Sequence, residues 1–308
     1  MAQKHEGWGW MLAVDFFFAG MGGAMLVIAG IADLFVGEGR TSALASFLGA
    51  AFMAMGSGLL VLELGRPFQS WRVFMNPKAI LTVGAWTMTL AIGAGLVYTT
   101  FSFAMFPWSD WTIVRKLIAA FLIISGLVVA TYPGILLGRH KGRPFWVGPG
   151  MVSLFVLSSF VTAFAAHYLS GLIFAPLKSA AVLGSFPAVI AGLLAVQLLL
   201  WGSYLWVKIS GSTEAEAAAA RKWLCGEFSS AFKVGFLLAG TVLPLVLVLV
   251  PAVFCQAAGA ALVLLGGLIM RTLVVYAGAD RTWLPGEVKY RSRLPHGDEA
   301  FLQAWKSK

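Results

Sequence analysis

Eight stretches of about twenty residues or more run almost without charge through this 308-residue sequence, near 9–36, 42–64, 79–105, 112–138, 147–169, 179–208, 229–250 and 255–278. A helix rising about 1.5 Å per residue needs about 20 apolar residues to cross a hydrocarbon core of about 30 Å. Backbone polar groups in lipid must be satisfied inside the segment or in a closed barrel. Long continuous runs, lacking the alternation of barrel strands, select helices. Composition agrees: 59% of residues are hydrophobic and 11% charged, against about 25% charged in soluble domains. The fold class expected is an all-α polytopic membrane protein of eight transmembrane helices with a polar C-terminal tail.

The N-terminal segment "EGWGWMLAVDFFFAGMGGAMLVIAGIADLF" lacks a basic n-region and exceeds an h-region of about 7–15 residues, so it is expected to be retained as the first span. The spans are separated by "VGEGR", "GRPFQSWRVFMNPK", "FPWSDW", "GRHKGRP", "SGLIFAPLK", "GSTEAEAAAARKW" and a hairpin at Pro251. The "GSTEAEAAAARKWLCGEF" segment has the composition of a short polar or amphipathic helix. An even number of spans puts both termini on one side. That side gathers Lys4, Arg66, Arg72, Lys78, Arg139, Lys141, Arg143, Lys208, Arg221, Lys222 and six cations of the tail, whereas the other has Arg40, Arg115, Lys116 and Lys178. Sixteen against four is a positive-inside bias, which places the termini in the cytoplasm. The net charge of +9 is thereby read as topology and partner docking, and no nucleic-acid partner is expected.

Ionisable groups at bilayer depth are costly and mark cavities or partners. Asp15 lies seven residues after Trp8 and Tyr132 seven before Arg139, so each sits about 10 Å in from the terminus side. Glu63, three residues before Arg66, is nearer the same surface. Three protic side chains from the first, second and fourth spans therefore converge, with Arg66 and the basic "GRHKGRP" loop above them. The bland alternatives are an interfacial belt for Tyr132 and a Glu63–Arg66 pair. Arg271 on the eighth span is expected in a structural ion pair. Asp33 and His167, towards the opposite face, fit capping or hydrogen-bonding roles, and with Arg271 are the candidates for a proton path.

A transmembrane haem takes axial ligands, usually histidines, and an iron–sulfur cluster about four cysteines. Only His167 falls within a span; His5 and His296 are terminal and His140 is in a loop. Cys225 and Cys255 stand alone. Neither haem, nor a cluster, nor another metal site is expected in this chain.

The segments "LELGRPFQSWRVFMNPKAILTVGAW", "TYPGILLGRHKGRPFW", "KVGFLLAGTVLPLVL" and "LLGGLIMRTLVVYAG" resemble, in order, the signature segments of NrfD-type membrane subunits, typified by that of polysulfide reductase. The resemblance covers nearly the whole chain except the tail. It implies eight spans in two four-helix bundles, here 1–138 and 139–278, followed by the tail 279–308. It also implies a quinone-reactive subunit without haem, using menaquinone or ubiquinone, in a bacterial or archaeal cytoplasmic membrane. Its expected partners are a ferredoxin-like [4Fe–4S] subunit and a molybdopterin-type catalytic subunit. The family's quinone lies in the first bundle against the tyrosine of a Tyr-x-Gly segment, here Tyr132. A first-span residue five positions before "GMGG" contributes as well; it is histidine in the polysulfide reductase type and Asp15 here.

Together these readings assign quinone chemistry to Asp15 and Tyr132, with Glu63 and Arg66 beside them. The rival class is an ion- or proton-translocating transporter. Paired broken helices at the midplane would favour it, and the sequence has no convincing pair.

Overall fold

A computed structural model describes residues 9–37, 41–63, 67–75, 80–140, 142–174, 180–211 and 213–280. They form α1 (Trp10–Ile31), a π-helical turn (Ala32–Val36), α2 (Ala43–Glu63), a 3₁₀ helix (Pro67–Met75), α3 (Ile80–Thr100) and α4 (Thr112–Gly138). There follow α5 (Gly150–Ile173), α6 (Ala180–Ser210), α7 (Glu214–Cys225), a π segment (Ala231–Val242), α8 (Leu243–Leu249) and α9 (Val253–Ala277). Among the described residues eight helical stretches are long and apolar enough to cross a membrane, each matching one of the expected spans. The third ends earlier than expected, at Thr100, because the chain breaks into turns held by Trp108 Nε1 donating to Thr100 Oγ1 at 2.9 Å. The seventh is a π segment running into α8. Within it the buried Thr241 hydroxyl donates to the Phe236 carbonyl, five residues back, at 3.0 Å.

α1 is the most buried of the eight spans and α3 among the least. α1 packs against α2, α4, α5 and α9, and so touches helices of both halves of the chain. Its sequence explains the position. A helix surrounded by protein needs small residues where neighbouring backbones approach, and "GMGG" supplies them. A Cβ on Gly22 would collide with the Gly49 carbonyl of α2, and one on Gly23 would stand 3.0 Å from the Gly126 carbonyl of α4.

Arg271 of α9 is fully buried and ties the centre together. Its guanidinium donates to the Phe16 carbonyl (3.1 Å), Ser158 Oγ (2.9 Å), Ser159 Oγ (3.1 Å) and the Gly267 carbonyl (3.1 Å). The expected ion pair is therefore corrected. Among the described residues its partners are hydroxyls and carbonyls, with the rings of Phe17 and Phe155 within 6 Å of the guanidinium carbon. Neutral acceptors can satisfy a guanidinium's five donors, provided they surround it.

Two cations counted towards topology are buried structural groups. Arg115, in the first turn of α4, pairs with Asp33 across 3.1 Å, joining the start of α4 to the end of α1. Lys208 donates to the Pro144 carbonyl at 3.1 Å, the Val147 carbonyl at 2.7 Å and the Glu216 carboxylate, pinning the 142–149 loop beneath α6 and α7. The polar segment before the seventh span forms α7 as expected. Thr213 caps it, accepting from Glu216 N at 3.4 Å. The tail from 281 onwards lies outside the described residues.

Candidate functional site

Five elements of the first half leave a gap between them. A cavity of about 200 Å³ is lined by Asp15 of α1, Ser57, Leu60 and Val61 of α2, Ser70, Val73 and Phe74 of the 3₁₀ helix, Leu81, Gly84, Ala85, Thr87, Met88 and Thr89 of α3, and Val128, Val129 and Tyr132 of α4. Its walls are mostly aliphatic and aromatic, with an acid and a phenol among them. This is the usual make-up of a small-molecule site, an apolar container with a few placed polar groups.

Local sequence accounts for where the two groups stand. Tyr132 belongs to "TYPG" in α4. Pro133 is buried, and Gly134 is pressed to the α5 backbone, where an added Cβ would stand 2.5 Å from Val152 Cα. α5 thus backs α4 while Tyr132 turns towards α3. Gly84 of α3 receives it: a Cβ there would lie 2.7 Å from Tyr132 Cε2 and 2.9 Å from Cζ. Asp15 is likewise received by a glycine. A Cβ on Gly56 of α2 would stand 3.0 Å from Asp15 Oδ1.

Asp15 is 3% exposed and lies close enough to Tyr132 for the two to interact electrostatically. The Tyr132 hydroxyl is buried and has no hydrogen-bond partner among the described residues. Leaving such a group unsatisfied costs about 1–3 kcal/mol, and its hydroxyl is a donor that a ligand with an acceptor would satisfy. A quinone, planar and apolar with carbonyl acceptors, fits this donor set.

The other expected site residues are distributed differently. Glu63 closes α2 at the cavity's end of that helix, but its side chain, like all of Arg66, lies outside the described residues. Asp33, His167 and Arg271 are not in the cavity wall. Asp33 pairs with Arg115, and His167 Nε2 lies 2.9 Å from the Met25 carbonyl, each within the plainer role expected of it. Arg271 approaches the site only through the Phe16 carbonyl, next to Asp15 in sequence. Among the described residues no group of three or more His, Cys, Asp or Glu side chains could hold a metal ion.

Sequence reasoning passed over the 3₁₀ helix and the α3 wall. The "GRPFQSWRVFMNPK" segment was read as a break between spans and as part of a family-like segment, without any of its residues but Arg66 being assigned to the site, yet Ser70, Val73 and Phe74 from it face the cavity. The signal was the apolar and aromatic content of a loop that should otherwise be polar. Gly84 lies within the same family-like segment, but nothing there marked it as a contact of Tyr132.

The fold is that of a polytopic helical membrane protein, and the cavity is its candidate site. The chain belongs to the NrfD family: the family model described as "Polysulphide reductase, NrfD" matches residues 2–281. A comparison with curated proteins finds no individual match. Membership makes the chain a membrane subunit of the quinone-linked oxidoreductase type, in a family that is quinone-reactive in general. Such subunits typically pair with iron–sulfur and molybdopterin subunits.

Proposed function

We propose that the chain is the quinone-reactive anchor of a respiratory oxidoreductase and that the Asp15–Tyr132 cavity is where the quinone binds. The observation that supports this most is the buried, unpartnered Tyr132 hydroxyl in the wall of an apolar cavity that also contains Asp15. The bound quinone would supply the exchange of two electrons and two protons. Tyr132 donates a hydrogen bond to a ring carbonyl and orients the ring. Asp15 holds and passes a proton at its carboxylate oxygens, a role in which a positioned acid–base contributes about 10²–10⁴-fold. The aliphatic walls from α2, α3 and α4 exclude water, and Glu63 and Arg66, which follow the cavity-lining turn of α2 in sequence, complete the proposed quinone-binding set.

Residues 1–138 supply all the described walls, which supports a division into a quinone-bearing group and a second four-helix group over 139–278. A ferredoxin-like [4Fe–4S] subunit would dock on the 65–78 and 139–146 segments, and the wall residues Ser70, Val73 and Phe74 from the first of them support this. It would link the site to a molybdopterin-type catalytic subunit. The termini and these segments are assigned to the cytoplasmic side of a bacterial or archaeal inner membrane by the distribution of cations. Menaquinone and ubiquinone both match the donor set.

The test is turnover of the assembled complex with a short-chain quinol. Asp15→Asn should assemble normally and lose at least about tenfold in rate, and Tyr132→Phe should weaken quinone affinity more than rate. Wild-type turnover in a fully assembled Asp15→Asn complex would contradict the proposal.

A further inference from the structure

A 1,4-quinone carries two carbonyls on opposite sides of its ring, and Tyr132 can serve only one. The described cavity wall has four other hydroxyls: Ser57, Ser70, Thr87 and Thr89. A hydroxyl has a single proton to donate. Ser57 gives its proton to the Ala54 carbonyl at 3.0 Å, Thr87 to Val83 at 2.8 Å and Thr89 to Ala85 at 2.8 Å. These three can still accept, but a carbonyl ligand needs a donor. Ser70 has no hydrogen bond among the described residues and keeps its proton uncommitted.

Ser70 also sits on a braced element. The 3₁₀ helix that carries it is fastened to α3 at two successive carbonyls. Thr82 Oγ1 donates to Val73 O at 2.6 Å and Trp86 Nε1 to Phe74 O at 3.3 Å. The Phe74 and Trp86 rings meet edge to face at 5.1 Å. Val73 and Phe74 themselves face the cavity, so the clamp fixes this wall against α3 with Ser70 in it.

We infer that Ser70 is a ligand-binding residue that donates the hydrogen bond to the second carbonyl of the quinone, with Thr82 and Trp86 as its positioning residues. The inference rests on the proposed quinone site and extends it to a two-ended grip. The site then selects a 1,4-dione over a ring with one carbonyl.

Equilibrium binding to the purified full chain in lipid nanodiscs, followed by tryptophan quenching, tests it with two probes. One is a 2-methyl-1,4-naphthoquinone with a short alkyl chain; the other is a 1-tetralone with the same chain, which has a methylene where the second carbonyl would be. Ser70→Ala should weaken the dione by about 3- to 10-fold, the equivalent of one neutral hydrogen bond, and leave the tetralone unchanged. Ser70→Thr, which keeps the hydroxyl, should restore most of the dione affinity. An unchanged dione affinity in Ser70→Ala overturns the inference, and so does an equal loss for both probes, which would mean disturbed wall packing. Tyr132→Phe should weaken both probes. Unchanged binding in that variant overturns the underlying site assignment, a result separable from failure at Ser70 alone.

Discussion

Gly84→Ala is a one-carbon perturbation aimed at the site from behind. The added Cβ would lie 2.7 Å from Tyr132 Cε2, 2.9 Å from Cζ and 3.0 Å from Cδ2. Non-bonded carbons rest at about 3.5–4.0 Å, so the ring or the helix has to retreat by roughly 0.8 Å. Retreat through α4 is opposed, because Gly134 already touches the α5 backbone. Overpacking of this kind costs about 1–3 kcal/mol. Replacing glycine with alanine inside a helix returns about 0.8–1.0 kcal/mol, leaving a net destabilisation of about 0–2 kcal/mol. The hydroxyl is displaced whatever the net stability, so quinone affinity should fall by at least about fivefold, the equivalent of about 1 kcal/mol for one lost hydrogen bond. Gly93→Ala is the control on the same helix, since a Cβ there meets no heavy atom within 4 Å. Affinity for a short-chain naphthoquinone and the thermal midpoint in nanodiscs should be measured for both variants. Equal affinities in Gly84→Ala and Gly93→Ala would refute the reasoning, because the Tyr132 ring would then not form a wall of the binding site.

Removing one partner of the buried Asp33–Arg115 pair, as in Arg115→Met, should destabilise the chain by about 3–5 kcal/mol in thermal or denaturant unfolding, and Asp33→Leu with Arg115→Met should recover most of it. Little change in the single variant would mean the pair is not held in the membrane-embedded protein. Sidedness can be read from a native probe, since Cys225 is exposed where α7 ends. With Cys255 replaced by serine, a membrane-impermeant maleimide should label Cys225 in inverted vesicles and spare it in intact cells. The reverse pattern would move the termini, and the proposed docking face, outside the cell.

Much of the architecture was open to sequence reasoning because span length is a direct physical requirement of the bilayer. Eight apolar runs became eight helices, and the polar stretch with Thr213 and Glu216 became a capped α7. Asp15 and Tyr132 were legible because a charge or a hydroxyl at depth needs a reason, and counting residues from each end gives the depth. Burial partners were not legible in the same way. Arg115 and Lys208 lie at span ends, where cations ordinarily record topology, and only three-dimensional packing brings Asp33 to one and the 142–149 loop carbonyls to the other. Arg271 suggested an ion pair because a carboxylate is the usual partner. The Phe16 carbonyl and the two serines that satisfy it come from α1 and α5, distant in sequence, and only the Gly267 carbonyl is local to α9. The 3₁₀ wall escaped notice for a further reason: a 3₁₀ helix lining a cavity has no periodic signature separating it from a connecting loop.

The central claim, that the cavity between α1, α2, the 3₁₀ helix, α3 and α4 is the quinone site, is most directly tested by photolabelling. A 1,4-naphthoquinone carrying an azide on the ring would be irradiated with the purified chain and the adducts mapped by mass spectrometry. Adducts should concentrate in residues 57–61, 70–74, 81–89 and 128–132, disappear with excess unlabelled quinone, and fall sharply in Tyr132→Phe. Competable labelling confined to α6, α8 and α9, with these segments unmarked, would contradict the account.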